Sequence, residues 1–266
     1  MQTLIRTRTL VTVFTLLFFA LTLGPVANAA DFKALIRKAD MSMRSKTSAA
    51  VMQMQIKTKS FERGFRLVSW QDDRGKEKAL IKILGPALWR GNGTLKIGDQ
   101  LKVYNPKQNH VTVIGSSMLG DSWMGSHFTN DDLVKETKLE RHFKSKLVKK
   151  WSGTDPTLGQ VTYYRFLLTP KPKAPVAWGR IDYVILEKGQ VVLPVRSDYY
   201  RKVKQKTPSR SMKFLAIKEL GGRKVPTVMM VTVAKKPGEF TKIVYRKLRF
   251  DIKIDSSKFS EQALRR

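Results

Sequence analysis

The chain has 266 residues, with 51 Lys and Arg against 21 Asp and Glu, a formal charge of +30 and no cysteine. Without cysteine there is no disulfide framework, no cysteine-ligated zinc and no thiol to carry a lipid after a signal sequence. A charge of this size surrounds the molecule with a positive potential that selects anionic partners without naming them.

Met1–Ala30 has the order of a secretory signal. Arg6 and Arg8 come first, an apolar run follows from Leu10 to Leu23, and Pro25 leads into the small-residue end Val26-Ala27-Asn28-Ala29-Ala30. The apolar run is shorter than the roughly 20 residues a spanning helix needs, which favours cleavage after Ala29 or Ala30 over a retained anchor. The mature chain is then one domain, residues 31–266, and loss of Arg6 and Arg8 lowers the charge by two, from +30 to +28. In the periplasm such a soluble, exported chain meets anionic lipid head groups, lipopolysaccharide phosphates and membrane surfaces rather than nucleic acid.

Asp31–Asp40 reads as a short helix, because Phe32, Leu35, Ile36 and Ala39 recur at spacings of three and four. From Ser48 the period becomes two. Met52, Met54 and Ile56 alternate with Gln53, Gln55 and Lys57, and Phe65 with Leu67 continues the pattern. Asp72-Asp73-Arg74-Gly75 marks a hairpin before Ala79, Ile81 and Ile83; Gly98-Asp99 joins Thr94–Ile97 to Gln100–Tyr104. Asn105–Asn109 turns the chain into His110–Ile114. In the second half Val161–Leu168, Arg180–Leu186, Val191–Tyr200, Ser211–Ile217, Val225–Val233 and Phe240–Phe250 are separated by glycine- and proline-bearing turns or short polar connections. A mainly β fold with a few helices is predicted: an antiparallel meander of eleven or twelve strands, curled into an incomplete barrel that limits exposed edges. A short helix near Ser257–Leu264 closes the chain.

Gly115–Leu133 breaks this pattern. It has no period of two, carries almost no positive charge, and yet holds Met118, Leu119, Trp123, Met124 and Phe128. Between barrel strands such a segment folds into the open mouth as a plug or lid, with Asn130-Asp131-Asp132 capping a helical turn over Leu133–Glu136. Its large side chains either complete the core or line a cavity for an apolar ligand. Methionine suits the second role, since flexible thioethers accommodate varied chains, and Met52, Met54, Met229 and Met230 lie on strands that can face the same interior.

Catalytic patterns are lacking. His110, His127 and His142 have no metal-ligand spacing, so no metal or other cofactor is expected. Ser122, His127 and Asp131 supply the atom types of a nucleophile triad without a Gly-x-Ser-x-Gly elbow. Gly91-Asn92-Gly93 is a turn rather than a phosphate loop. The reading is a non-enzymatic protein.

Several segments carry a resemblance to a known family: Met43–Thr47, Leu88–Gly93, Ser116–Ser126 running into Phe128–Val134, Lys218–Arg223, Lys236-Pro237-Gly238 and Phe259–Leu264. The chain resembles the outer-membrane lipoprotein-sorting carriers, the LolA-like family. The resemblance implies an incomplete antiparallel barrel closed by helices, with a hydrophobic cavity for the acyl chains of a lipoprotein or lipid. It also implies a soluble periplasmic carrier that works beside inner-membrane transporters, and the basic exterior holds such a carrier in transient contact with anionic membrane surfaces. A lipid-sensing regulatory protein on the same fold is the alternative. The candidate cavity residues are Met52, Met54, Trp89, Met118, Leu119, Trp123, Met124 and Phe128.

Overall fold

The computed structural model describes residues 29–134, 139–174 and 176–266. The expected signal lies outside the described residues except for Ala29 and Ala30, which open helix α1 (Ala29–Met41). Ile36 and Ala39 of α1 are buried, with Phe32 and Leu35 packed beside them, as the three-and-four spacing predicts.

Strands β1 (Thr47–Lys57), β2 (Glu62–Asp72), β3 (Lys78–Gly85), β4 (Gly93–Ile97), β5 (Gln100–Asn105) and β6 (His110–Val113) form the first half. After the insert come β7 (Phe143–Asp155), β8 (Gly159–Pro170), β9 (Arg180–Lys188), β10 (Val191–Tyr200), β11 (Arg210–Leu220), β12 (Arg223–Val233) and β13 (Phe240–Phe250). All belong to one open sheet ordered β6-β5-β4-β3-β2-β1-β13-β12-β11-β10-β9-β8-β7, and each paired neighbour is antiparallel. The first half steps outward from β1 to one edge; the second starts at the other edge and steps back until β13 pairs with β1. Every connection within a half is therefore a hairpin. The insert alone must travel from one edge strand to the other, across the concave face.

Among the described residues the sheet has thirteen strands, where the sequence predicts eleven or twelve. The extra one is β7, whose Lys144, Lys146, Lys149 and Lys150 hide the alternation of Phe143 and Leu147, and a bulge at Val148 then turns Trp151 to the other face. It is an edge strand, and lysines there oppose further pairing with another chain.

Apolar clusters on both faces fix the curl. On the concave face of the first half, Ala50, Met52, Met54 and Ile56 of β1 meet Phe65 and Leu67 of β2. On the concave face of the second half, α1 and helix α3 (Leu139–His142) cover Phe166, Tyr183 and Ile185. On the convex face, Leu80, Leu95 and Tyr104 are covered by a 3-10 turn at Ser256–Phe259 and by helix α4 (Glu261–Arg265). The single terminal helix predicted near Ser257–Leu264 is thus split at Ser260, whose hydroxyl accepts from the Ala263 N–H and caps α4. Lys82, buried on β3, donates to the carbonyls of Gly91 (2.9 Å) and Leu264 (2.6 Å) and so ties α4 to the sheet.

Candidate functional site

A row of apolar residues runs directly across five strands on the concave face. Phe65 faces Met54, Met54 faces Ile243, Ile243 faces Met229, and Met229 faces Phe214. Such directly opposed pairs are the stabilising unit of a sheet, and here they also build a continuous greasy floor. A bulge in the β1–β13 pairing sets Val51 against Lys247 and Met52 against Tyr245, leaving Arg246 out of register. Tyr245 and Leu248 consequently both face inward, while Arg246 turns out to donate to Gln53.

Above this floor is a cavity of about 410 Å³. Its apolar wall includes Met52, Met54, Leu67 and Ile81 from the first half, and Met212, Phe214, Met229 and Tyr245 from the second. Where β2 ends and β3 begins the lining becomes polar, with Gln71, Asp73, Glu77 and Lys78. Lys96, also in the wall and buried, is neutralised there by Glu77 at 3.1 Å.

The insert supplies another wall. Ser122 and Thr129 form a β-bridge, and the Trp123 N–H donates to Phe128 O (2.9 Å), making a tight clasp. Met124 and Gly125 at its tip take left-handed backbone conformations (φ 56° and 72°), which fold the tip back. Trp123 and Phe128 are buried and line the cavity; the indole N–H of Trp123 is satisfied by Thr94 Oγ1 at 3.1 Å. His127 is pinned to β13, its backbone N–H donating to Thr241 Oγ1 (2.9 Å) and its Nδ1 lying 2.8 Å from the same oxygen. Its Nε2 lies 3.5 Å from Glu239. Burial and Lys236 hold this imidazole below its ordinary pKa, and Glu239 opposes the shift.

Of the residues singled out from the sequence, Met52, Met54, Trp123 and Phe128 meet at the cavity. Met124 and Trp89 pack at the margin of the same apolar cluster, Trp89 edge-on to Phe65. Met118 and Leu119 sit on a half-exposed turn whose carbonyls accept from the Asn130 side chain and the Asp131 N–H. Met229 faces the cavity, and Met230, its neighbour on an alternating strand, turns away. The Ser122 hydroxyl donates to Ser126 O, and His127 is engaged by Thr241 and Glu239, so the two are not joined as nucleophile and base.

One feature escapes sequence reading. Helix α2 spans Asn130–Val134, earlier than the predicted turn over Leu133–Glu136, of which residues 135 and 136 lie outside the described residues. Asn130-Asp131-Asp132 form its first turn, and of the three only Asp132 takes part in the cap, with Thr129 before it. The capping pair is Thr129 and Asp132: the Asp132 carboxylate accepts from the Thr129 N–H (2.8 Å), and the Asp132 N–H donates to Thr129 Oγ1 (3.3 Å). The same carboxylate takes a two-pronged bond from Arg210 at 2.5 and 2.8 Å. The Arg210 guanidinium also lies 4.8 Å from the Tyr199 ring and 5.0 Å from that of Trp178. Burial works against its charge, and Asp132 and Tyr199 together outweigh burial, so Arg210 is held above its ordinary pKa. This latch joins the insert to β11 across the cavity wall.

Among the described residues no His, Asp and Glu cluster could hold a metal ion, and no helix is long and apolar enough to cross a membrane. No curated protein matches the chain in sequence. The fold has solved counterparts. A DUF1329 family protein from Desulfovibrio piger is similar at 21% identity and a TM-score of 0.73, over 89% of this chain and 98% of that one. An outer membrane lipoprotein-sorting protein domain from Vibrio parahaemolyticus is similar at 17% identity and 0.68, over 90% and 97%. A LolA superfamily protein from Nitrosomonas europaea is similar at 17% identity and 0.66, over 87% and 98%. A family model described as "Uncharacterized protein" matches residues 75–266. The chain belongs to that family, and its fold is the LolA-like fold of outer-membrane lipoprotein-sorting proteins.

Proposed function

We propose that the protein is a periplasmic carrier that holds the acyl chains of a lipid or lipoprotein in the cavity and shuttles them between envelope membranes. The observation that carries this reading is an apolar hollow walled on one side by the clasp of Trp123 and Phe128, with polar groups in its lining where β2 ends and β3 begins and at the Asp132–Arg210 pair. An amphiphile fits that lining, its tail along the methionines and its head at Gln71, Asp73 and Lys78. Burial is worth about 0.8 kcal/mol per methylene, so a chain of about sixteen carbons gains on the order of 10 kcal/mol before ordering costs. Binding that strong needs a release device, and the insert, which joins the two edge strands across the concave face, is the segment placed to serve as one. A cavity of about 410 Å³ is at the low end of the ~300–1,000 Å³ range of ligand sites. More than one chain then requires the insert to move. The donor and acceptor are membrane components, with an inner-membrane transporter as the proposed loading partner.

Mass spectrometry of an organic extract of the purified protein tests the reading. Stoichiometric lipid is expected, and Trp123→Ala with Phe128→Ala lowers the lipid retained. A folded double variant with unchanged lipid content, or a wild-type protein with none after expression in a membrane-replete host, overturns it.

A further inference from the structure

The antiparallel order sorts the turns into two sets. Six of them, those following β1, β3, β5, β8, β10 and β12, lie at one end of the barrel; the other five lie at the opposite end. The insert packs at the first end, through His127 on Thr241 at the start of β13 and Asp132 on Arg210 at the start of β11. Charge divides the same way. The six turns at the insert end carry eleven Lys and Arg against Glu239 alone. The five at the far end carry Arg74 and Lys76 against Asp73, Glu77 and Asp99. The charge of the turns is thus polarised along the barrel axis.

The excess is concentrated in the β10–β11 hairpin, Arg201–Ser209. This loop is built rather than loose. Gln205 accepts from the Arg201 N–H at 3.0 Å and donates to Thr207 O (2.6 Å), and Arg180 donates to Val203 O at 2.7 Å. Arg201 is itself held over the Trp178 ring at 4.3 Å. What the frame presents outward is Lys202, Lys204 and Lys206, all exposed and none paired with a carboxylate among the described residues, around Val203, 53% exposed. Three free ammonium groups around an apolar tip suit a surface with anionic phosphates over hydrocarbon.

We infer that the insert end docks on a bilayer surface rich in anionic phospholipid, with the Arg201–Ser209 hairpin as the contact. Docking sets the insert, and the cavity beneath it, against the membrane. The purpose of docking rests on the carrier reading, whereas the docking itself rests on charge and topology.

The test is co-sedimentation of the full mature protein with vesicles of phosphatidylglycerol and phosphatidylcholine in equal parts, against pure phosphatidylcholine. Binding to the mixed vesicles alone is expected, weakening as salt rises. Each basic residue near such a surface contributes about fivefold in affinity, so Lys202→Gln, Lys204→Gln and Lys206→Gln together lower it on the order of a hundredfold. A control that removes the same charge at the far end, Lys76→Gln, Lys218→Gln and Lys224→Gln, changes it severalfold at most. Equal losses in the two triple variants, equal binding to neutral vesicles, or no binding at all overturns the inference. Lipid extracted from the same preparations reports on the carrier reading separately: a lipid-free cavity defeats that reading and leaves vesicle docking standing, and the reverse result is as easily seen.

Discussion

Asp132→Ala is the most informative single substitution, because one carboxylate does two jobs that can be separated. As the capping partner of Thr129 it is worth about 1 kcal/mol to α2. As the partner of Arg210 it is worth more, since the guanidinium side chain is only 8% exposed and would be left as an uncompensated buried charge. Removing one member of a buried pair costs about 3–5 kcal/mol, and the Tyr199 and Trp178 rings beside Arg210 place this case at the lower end. The expected loss is therefore about 4 kcal/mol, which for a domain of this size lowers Tm by roughly 8–16 °C if unfolding is cooperative. Thr129→Ala isolates the cap and should cost about 1 kcal/mol. Asp132→Leu with Arg210→Met removes both charges and should recover most of the pair's contribution, because no ion is left stranded. Urea unfolding measures all three, and hydrogen exchange over residues 116–133 reports whether the insert opens before the barrel. A loss below about 1 kcal/mol for Asp132→Ala, or a double variant as unstable as the sum of the singles, refutes the latch.

Two further outcomes follow from the geometry. His127 is depressed by burial, so it stays neutral in the fold while the unfolded chain takes up the proton first. The stability it contributes is complete above the ordinary histidine value of 6.5 and declines as pH falls toward the lower folded value. The Tm of the wild type should thus fall between about pH 7.5 and about pH 5 more steeply than that of His127→Asn; parallel curves would deny His127 the role of pH-sensitive anchor. Met229→Trp pushes bulk into the cavity from β12. If the hollow is real the added ring is tolerated within about 1 kcal/mol and retained lipid falls, whereas overpacking of a filled core costs about 1–3 kcal/mol with lipid unaffected.

Much of the architecture is local and therefore legible in the sequence. The period of two in Met52, Met54 and Ile56 requires a half-buried strand, and Gly98-Asp99 requires a tight turn, wherever they occur. Hairpin signals recur on either side of Gly115–Leu133, so the sequence reads as one antiparallel meander broken by that segment, and the division into two runs that meet at β1 and β13 belongs to the sheet order. Strand β7 fell below notice because its lysines belong to an edge, and edge position is a property of the whole sheet. The start of α2 differs from its expected place for a similar reason: Asn130-Asp131-Asp132 resembles a cap in isolation, but the reciprocal bonds run between Thr129 and Asp132 once Ser122 and Thr129 are bridged.

By itself the sequence determined the alternation, the turns, the absence of thiol chemistry and the sign of the charge, because each depends on residues within a few positions of one another. Only the tertiary structure decided which apolar residues share a hollow. It alone put Trp123 and Phe128 on the cavity wall, left Met118 and Leu119 on a half-exposed turn, brought Asp132 to Arg210 across 78 positions, and gathered the basic turns at one end. Those outcomes follow from sheet order and curl, which are set by which strand meets which across the whole chain, and no short stretch of residues records that.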